Sequence, residues 1–311
     1  MRVSSQSVPN ALSQNLQRLM QRQFQLQTET ATGKQTDILT EQPSALGNLL
    51  RLENTSQATA QFKRNAEHAY TRSQENIDAI RALKTLSDRA GEIAIKANSL
   101  AGSDALASYA IEIDQLLEDA LAQSNRKTDS GYAFAGTRSD QAPFIPERDA
   151  EGKITSVSYQ GNQNLAETDI APGSSVTSAV VGANTGTTGP SGLFVDQRSG
   201  ADLFGHLVAL RDHLASGDMT TIQSSVVADL AADEENFLLH LSSFGALQTR
   251  IETTQARHQE QDFSVATQKS AIVDADLAKT IVSLNQAQTS YQAALQSGAQ
   301  LLSTSLMDYL R

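Results

Sequence analysis

Apolar residues recur at both ends of this chain in alternating steps of four and three. Near the start the series is Val8, Leu12, Leu16, Leu19 and Leu26, with Gln23 filling one step. Near the end, Leu277, Ile281, Leu284, Tyr291, Leu295, Leu302 and Leu306 make a stripe on a background rich in Gln, Ser and Thr. Such steps place side chains on one helix face, and sustained over several turns they are the heptad habit of a coiled coil. The pattern predicts two long terminal helices lying side by side. Gly33 is a natural stop for the first, and Pro43 suits the first turn of the next helical pattern.

The helical signal strengthens inward. Phe62, Ala66, Ala69, Ser73, Ile77 and Ile80 share a face, and Leu83, Leu86, Ala90, Ile93, Ala97 and Leu100 continue it. "AGSD" reads as a turn with Ser103 or Asp104 as cap. Leu106, Tyr109, Ile113, Leu116 and Ala120 then mark a helix ending near Ser124. The texture changes after Asp129. Between residues 131 and 200 lie ten of the 18 glycines and four of the six prolines, so this stretch reads as turns and short strands. "DAEGKITSVSYQG" predicts a strand through Ile154, Val157 and Tyr159, and "GANTGTTGPSG" resembles a flexible linker without the GK[ST] of a phosphate loop. Helical spacing returns in Leu203, Leu207, Leu210 and Leu214, breaks at "ASGD", and resumes through Val226, Leu230, Phe237, Leu241, Phe244, Leu247 and Ile251.

The expected organisation is nested: mainly α with a β insert. Residues 1–40 and 270–311 would form an inner coiled-coil domain. Residues 41–135 and 200–269 would form a helical bundle, and 136–199 a small all-β outer domain. On this pattern the insert is separable, and loss of about residues 145–195 is expected to be mild.

Composition narrows the classes. The chain has 311 residues, no Trp and 5% aromatic residues, which favours bundles of Leu, Ile and Ala over an aromatic-lined enzyme pocket. A net charge of −11 argues against nucleic acid as a partner. Without cysteine there is no disulfide framework, thiolate metal site or cysteine nucleophile. No apolar run is long enough to span a membrane. The start lacks the apolar core of a cleavable export signal. Its first 28 residues hold no acid, with Arg2, Arg18 and Arg22 among Ser and Gln. A wet helix face accounts for them better than a transit peptide does.

Candidate chemistry is sparse. His206 and His213 stand seven apart on one helical face with Asp202 and Asp212 nearby, yet no metal-ligand motif surrounds them. "ADEEN" (Ala232 to Asn236) reads as a solvated acidic face, not a catalytic carboxylate pair. "GTRSD" lacks the turn of a serine nucleophile, and Asn54 in "NTS" fits a glycosylation pattern that is too common to decide anything. Neither enzymatic activity nor a cofactor or metal is expected.

The terminal stripes are thin relative to the chain they must order. If they packed only against each other, these helices would need further apolar surface to fold. The simplest source is other copies of the same chain, with ordering on assembly. The other reading is that the end helices pack onto the rest of a compact domain.

Several stretches then match a known family. "RVSSQ" at the start, "TATGKQ" (Thr30 to Gln35), "RNAEHAYTRSQENIDAI" (Arg64 to Ile80) and "VDADLA" (Val273 to Ala278) occur in the order found in the flagellin superfamily. "GYAFAGTRSDQAPF" (Gly131 to Phe144), "SYQGN" (Ser158 to Asn162), "DIAPG" and "GLF" (Gly192 to Phe194) resemble its hook–filament junction branch, hook-associated protein 3. The resemblance covers nearly the whole length. It implies a flagellin-like fold and a non-enzymatic adaptor joining the hook side to the filament. Its partners would be copies of itself, the other hook-associated junction protein, flagellin and a flagellar export chaperone. Export would run through the flagellar type III apparatus without signal cleavage, giving an extracellular, flagellar location. Filament flagellin is the nearest alternative, and an unrelated coiled-coil scaffold or regulator a more distant one.

Overall fold

The computed structural model describes residues 7–36, 43–97, 102–128 and 131–309, with side chains described within 10–36, 44–97, 102–128 and 131–300. Among the described residues three helices come first: α1 (Ser7–Thr32), α2 (Pro43–Lys96) and α3 (Ser103–Ser124). Nine short strands follow among the described residues: β1 (Lys127–Thr128), β2 (Gly131–Tyr132), β3 (Phe144–Arg148), β4 (Ile154–Tyr159), β5 (Thr168–Ala171), β6 (Ser174–Val176), β7 (Val181–Asn184), β8 (Gly192–Asp196) and β9 (Ala201–Asp202). The chain returns to helix in α4 (Leu203–Ser216). A π-helical turn (Ile222–Val226) leads into α5 (Val227–Val273), and α6 (Leu277–Tyr309) is last. The protein is thus mainly α with a β insert and long terminal helices. Leu100, the last of the α2 series, lies outside the described residues. The N-cap of α3 is Gly102, not Ser103 or Asp104, and no side chain bonds that end.

The chain divides into two compact units, residues 1–58 with 260–311 and residues 59–259; α2 and α5 contribute to both. In the middle unit, the stripe read from the sequence of α2 is the buried one. Ala66, Ile80, Leu83, Ala90 and Ile93 are fully enclosed, as are Leu203, Leu207 and Leu210 of α4. The strands pair mostly as antiparallel ribbons, β1 with β2, β3 with β4 and β5 with β6, while β8 lies between parallel β7 and antiparallel β9.

Two-stranded ribbons are marginal alone, and here their apolar side chains join the helices. Phe134, Phe144, Phe194 and Phe204 meet at centroid separations of 4.9–5.7 Å within one core that also holds Ile80, Leu117 and Leu207. A smaller cluster sets Ile170 and Val176 against Ala66, Ala69 and Ile251. The insert therefore shares the helices' core, and its loss removes part of that core; a mild deletion is not the expectation this packing supports.

Polar groups fix the same junction. The Arg211 guanidinium, buried, donates to the Ile154 carbonyl at 2.6 Å and to Asp114 at 3.1 Å. Asn125 brackets the Phe144 backbone, donating to its carbonyl at 2.8 Å and accepting its N–H at 3.0 Å. The Tyr159 hydroxyl donates to the Phe134 carbonyl at 3.0 Å, and burial pushes its pKa up to about 12. "GYAFAG" and "SYQGN" thus meet in space, since the Asn162 N–H also donates to the Ala135 carbonyl at 3.1 Å.

Two polar stretches behave differently from their pattern. Asn184, inside the expected linker, is fully buried and donates to the carbonyls of Thr188 at 2.9 Å and Pro190 at 2.8 Å, closing that loop. In "ADEEN", Asp233 and Asn236 are buried beside Leu230 and Phe237 instead of being solvated. Asp233 accepts from the Asp202 N–H and from His206 Nδ1, both at 2.8 Å.

Candidate functional site

The terminal unit carries most of the residues singled out for assembly. Its local frame starts at Gly33, whose φ of +68° ends α1 in the left-handed turn that glycine adopts most readily. The chain beyond that turn pairs with the segment before α6. Gln35 N–H donates to the Val273 carbonyl, and Ala275 N–H to the Gly33 carbonyl, each at 2.8 Å. Lys34 and Asp274 form an antiparallel bridge there. Buried Glu29 accepts from both the backbone and the hydroxyl of Thr36, at 3.2 and 2.9 Å. Asp276 accepts from the Lys279 N–H at 3.1 Å and so caps α6. The aspartates of "VDADLA" therefore have separate tasks: one lies in the bridge, the other starts the helix. Across the unit, Lys269 Nζ meets Glu53 at 2.5 Å and holds that carboxyl below its usual range.

From this clamp α1 and α6 run back antiparallel and pack together. Met20 Sδ lies 4.0 Å from the Tyr291 hydroxyl, and further along Leu12 faces Gly298. A Cβ on Gly298 would stand 2.7 Å from Leu12 Cδ2, so any larger residue there makes the Leu12 side chain shift. On α6 the seam follows Thr280, Leu284, Ala287, Tyr291, Ala294 and Gly298, a four–three series in which only Leu284 and Tyr291 are large. On α1 it uses Leu12, Leu16, Leu19 and Leu26, the last of which is buried.

The expected assembly residues therefore fall into three groups. Leu12, Leu16, Leu19, Leu26, Leu284 and Tyr291 are covered or half-covered within the chain. Leu277, Ile281 and Leu295 remain 46%, 46% and 44% exposed. The side chains of Val8, Leu302 and Leu306 lie outside the described residues. The sequence stripe on α6 had merged two faces one step apart. Its small seam residues kept the same spacing but were overlooked for want of bulk.

Further exposed apolar residues of the terminal unit are Met20 and Phe24 on α1, Phe263 on α5 and Val282 on α6, with Phe24 72% and Phe263 76% exposed. Among the described residues no cluster of His, Asp or Glu fits a metal ion, and no helix is long and apolar enough to cross a membrane. His206 and His213 do not converge: His206 pairs with Asp233 and His213 approaches Asp218 at 3.4 Å.

Comparison with known proteins agrees with this geometry. Residues 239–310, which include α6, match the bacterial flagellin C-terminal helical region. A search of curated proteins by sequence finds no match. Among solved structures, a Vibrio parahaemolyticus protein described as flagellar hook-associated aligns with a TM-score of 0.63 at 17% identity, over 75% of this chain and 99% of its own. Flagellar hook-associated protein 3 of Legionella pneumophila aligns at 0.59 and 14% identity, over 71% and 98%. FlgL of Xanthomonas campestris aligns at 0.57 and 17% identity, over 70% and 99%. Residues 239–310 thus resemble the bacterial flagellin C-terminal helical region, and the chain shares the fold of solved flagellar hook-associated proteins.

Proposed function

We propose that this chain is a structural, non-enzymatic component of the bacterial flagellum, an adaptor between the hook-side junction and the filament. Support comes from the flagellin C-terminal region and the hook-associated fold. The observation that carries the reading is the apolar surface left on the terminal pair, with Phe24, Phe263, Leu277, Ile281 and Leu295 facing solvent. Neighbouring subunits bury that surface, and the termini gain their final order as they do so. In this reading residues 1–40 and 270–311 form the inner tube, the helical bundle the next layer, and residues 136–199 face outward. The partners are copies of itself, the other hook-associated junction protein and flagellin. An export chaperone covers the C-terminal stripe before passage through the flagellar type III apparatus.

The flagellin C-terminal match is equally at home in a filament flagellin, and one experiment separates the two. Purified protein is added to filament fragments as the only subunit. An adaptor binds ends without sustained elongation; growth of long filaments replaces the adaptor reading with that of a flagellin. In cells lacking the junction protein, the wild-type chain restores attached filaments. A chain carrying Leu284→Asp and Leu295→Asp does not, while its middle unit keeps its helical signal. Normal filament attachment by that variant would overturn the role assigned to the terminal helices.

A further inference from the structure

The middle unit holds a pocket that no assembly role uses. It has a volume of about 430 Å³ and lies among Leu165, Val180, Val181, Phe244 and Leu247, with exposed Leu239 and Ser243 at its mouth. That size is in the range of small-molecule sites, which are mostly apolar with one or two placed polar groups. Here the placed group is His240, only 7% exposed. Its Nε2 lies 3.2 Å from the Gly192 carbonyl. A carbonyl only accepts, so the proton sits on Nε2 and Nδ1 is left with a lone pair. Nδ1 has no hydrogen bond to any described residue, and it is not among the buried atoms shut away from solvent without a partner. Burial also lowers the pKa of His240 and keeps the ring neutral, although buried Asp196 pulls the other way. A neutral acceptor thus stands in the wall of an apolar pocket with an open mouth.

We propose that this pocket binds a compact apolar molecule carrying one O–H or N–H donor, of the phenol or indole class, with the donor bonded to His240 Nδ1 and the ring against Val180, Phe244 and Leu247. The donor bonds a lone pair that no described protein group satisfies, in place of the water that the open mouth admits. The ring replaces water on the apolar side chains.

Phenol and toluene distinguish this site from a merely greasy hollow, because they match in shape and differ in the donor. Each is titrated into the full chain and followed by amide chemical shifts. Phenol should saturate with a Kd on the order of millimolar, fitting for so few heavy atoms. Its shifts should be confined to residues near 179–181 and 239–247. Toluene should bind about tenfold more weakly, the worth of one hydrogen bond. Ser243→Trp, placed at the exposed mouth, should abolish both, and His240→Leu should reduce phenol to the level of toluene. If His240→Leu fails to fold, the phenol–toluene ratio and Ser243→Trp still decide. Equal affinity for the two probes, shifts elsewhere, no saturation by phenol, or binding undisturbed by Ser243→Trp would each overturn the proposal.

Discussion

The two units of this molecule treat phenylalanine in opposite ways, although both leave some aliphatic side chains bare, such as Ile95 and Ile111 in the middle unit. The middle unit encloses them: Phe134, Phe144, Phe194 and Phe237 are all at or below 2% exposure. The terminal unit places small residues in its seam, Thr280, Ala287 and Gly298, and leaves Phe24, Phe263 and Val282 at 66–76% exposure. Folding free energy comes mainly from apolar surface removed from water. A unit that seals its largest side chains holds itself together. One that places glycine and alanine inside and shows phenylalanine outside leaves apolar surface in water. On the proposed function that surface serves assembly, and the variants below are expected to break stability and assembly separately.

The largest effect should come from the sealed unit. Removing residues 145–195 takes away Ile154, Ile170 and Phe194 and opens two clusters at once. The truncated chain should lose the cooperative unfolding of the middle unit, read by circular dichroism. The point version, Phe194→Ala, removes the ring shared by Phe134, Phe144 and Phe204. It should cost about 3–5 kcal/mol in urea unfolding. A deletion that keeps a sharp transition would show that the helices and strands do not depend on one core.

Next comes the seam. Gly298→Leu drives a side chain into Leu12, where even a Cβ is too close at 2.7 Å. Overpacking of this kind costs about 1–3 kcal/mol. Amide exchange should rise along α1 and α6 while the 59–259 unit keeps its protection. Uniform loss of protection in both units would mean that they do not respond separately.

A smaller effect follows pH, and two histidines of the middle unit carry it with opposite signs. His206 is half-buried beside buried Asp233; burial opposes its charge, but the Asp233 carboxylate outweighs burial and its pKa is raised above 6.5. The folded state holds that proton more tightly, so its stabilisation is complete below 6.5 and is lost as pH rises through the raised value. Burial keeps the Asp233 carboxyl itself above its usual range, which has the same sign at the acid end. His240 is lowered by burial, so its contribution is present above 6.5 and is lost as pH falls. His206→Asn should therefore be most destabilising near pH 5.5 and less so at pH 8, whereas the deficit of His240→Gln should shrink on acidification. Melting temperatures across that range check both slopes, and parallel slopes would contradict the assignment.

The sequence showed the fold better than the site, for a physical reason. Long helices announce themselves by periodicity, so Ala66 to Ile93 and Leu203 to Leu214 were legible as buried stripes. "VDADLA" was legible as a motif before the separate tasks of Asp274 and Asp276 were known. Polar residues with inward tasks were not. Asn184 looked like linker and Asp233 like a wet acidic run, because composition does not show which way one side chain turns. On α6 bulk was mistaken for burial. The spacing of Thr280, Ala287 and Gly298 was as regular as that of the leucines, but small residues raise no hydrophobic signal.

The surface variant should disturb the isolated chain least and assembly most. Phe24→Ser with Ile281→Ser alters side chains that already face solvent at 72% and 46% exposure. Neither touches the clamp at Gly33 nor the seam at Leu12 and Gly298. Changes at such positions usually stay within about 0.5 kcal/mol each. Melting and amide protection of the isolated chain should be nearly unchanged. In the assembled structure the same side chains would sit at the core of a subunit interface, where burying an aromatic anchor dominates the binding energy. Serine there leaves a hydroxyl in a dry contact. Filament attachment should then fail although the protein is folded and abundant. If the double variant attaches filaments normally, the exposed phenylalanine and isoleucine are not the contact surface, and the assembly face must lie elsewhere on α1 and α6. If it melts several degrees lower, these side chains were stabilising the single chain, and the contrast between a sealed unit and an open one fails.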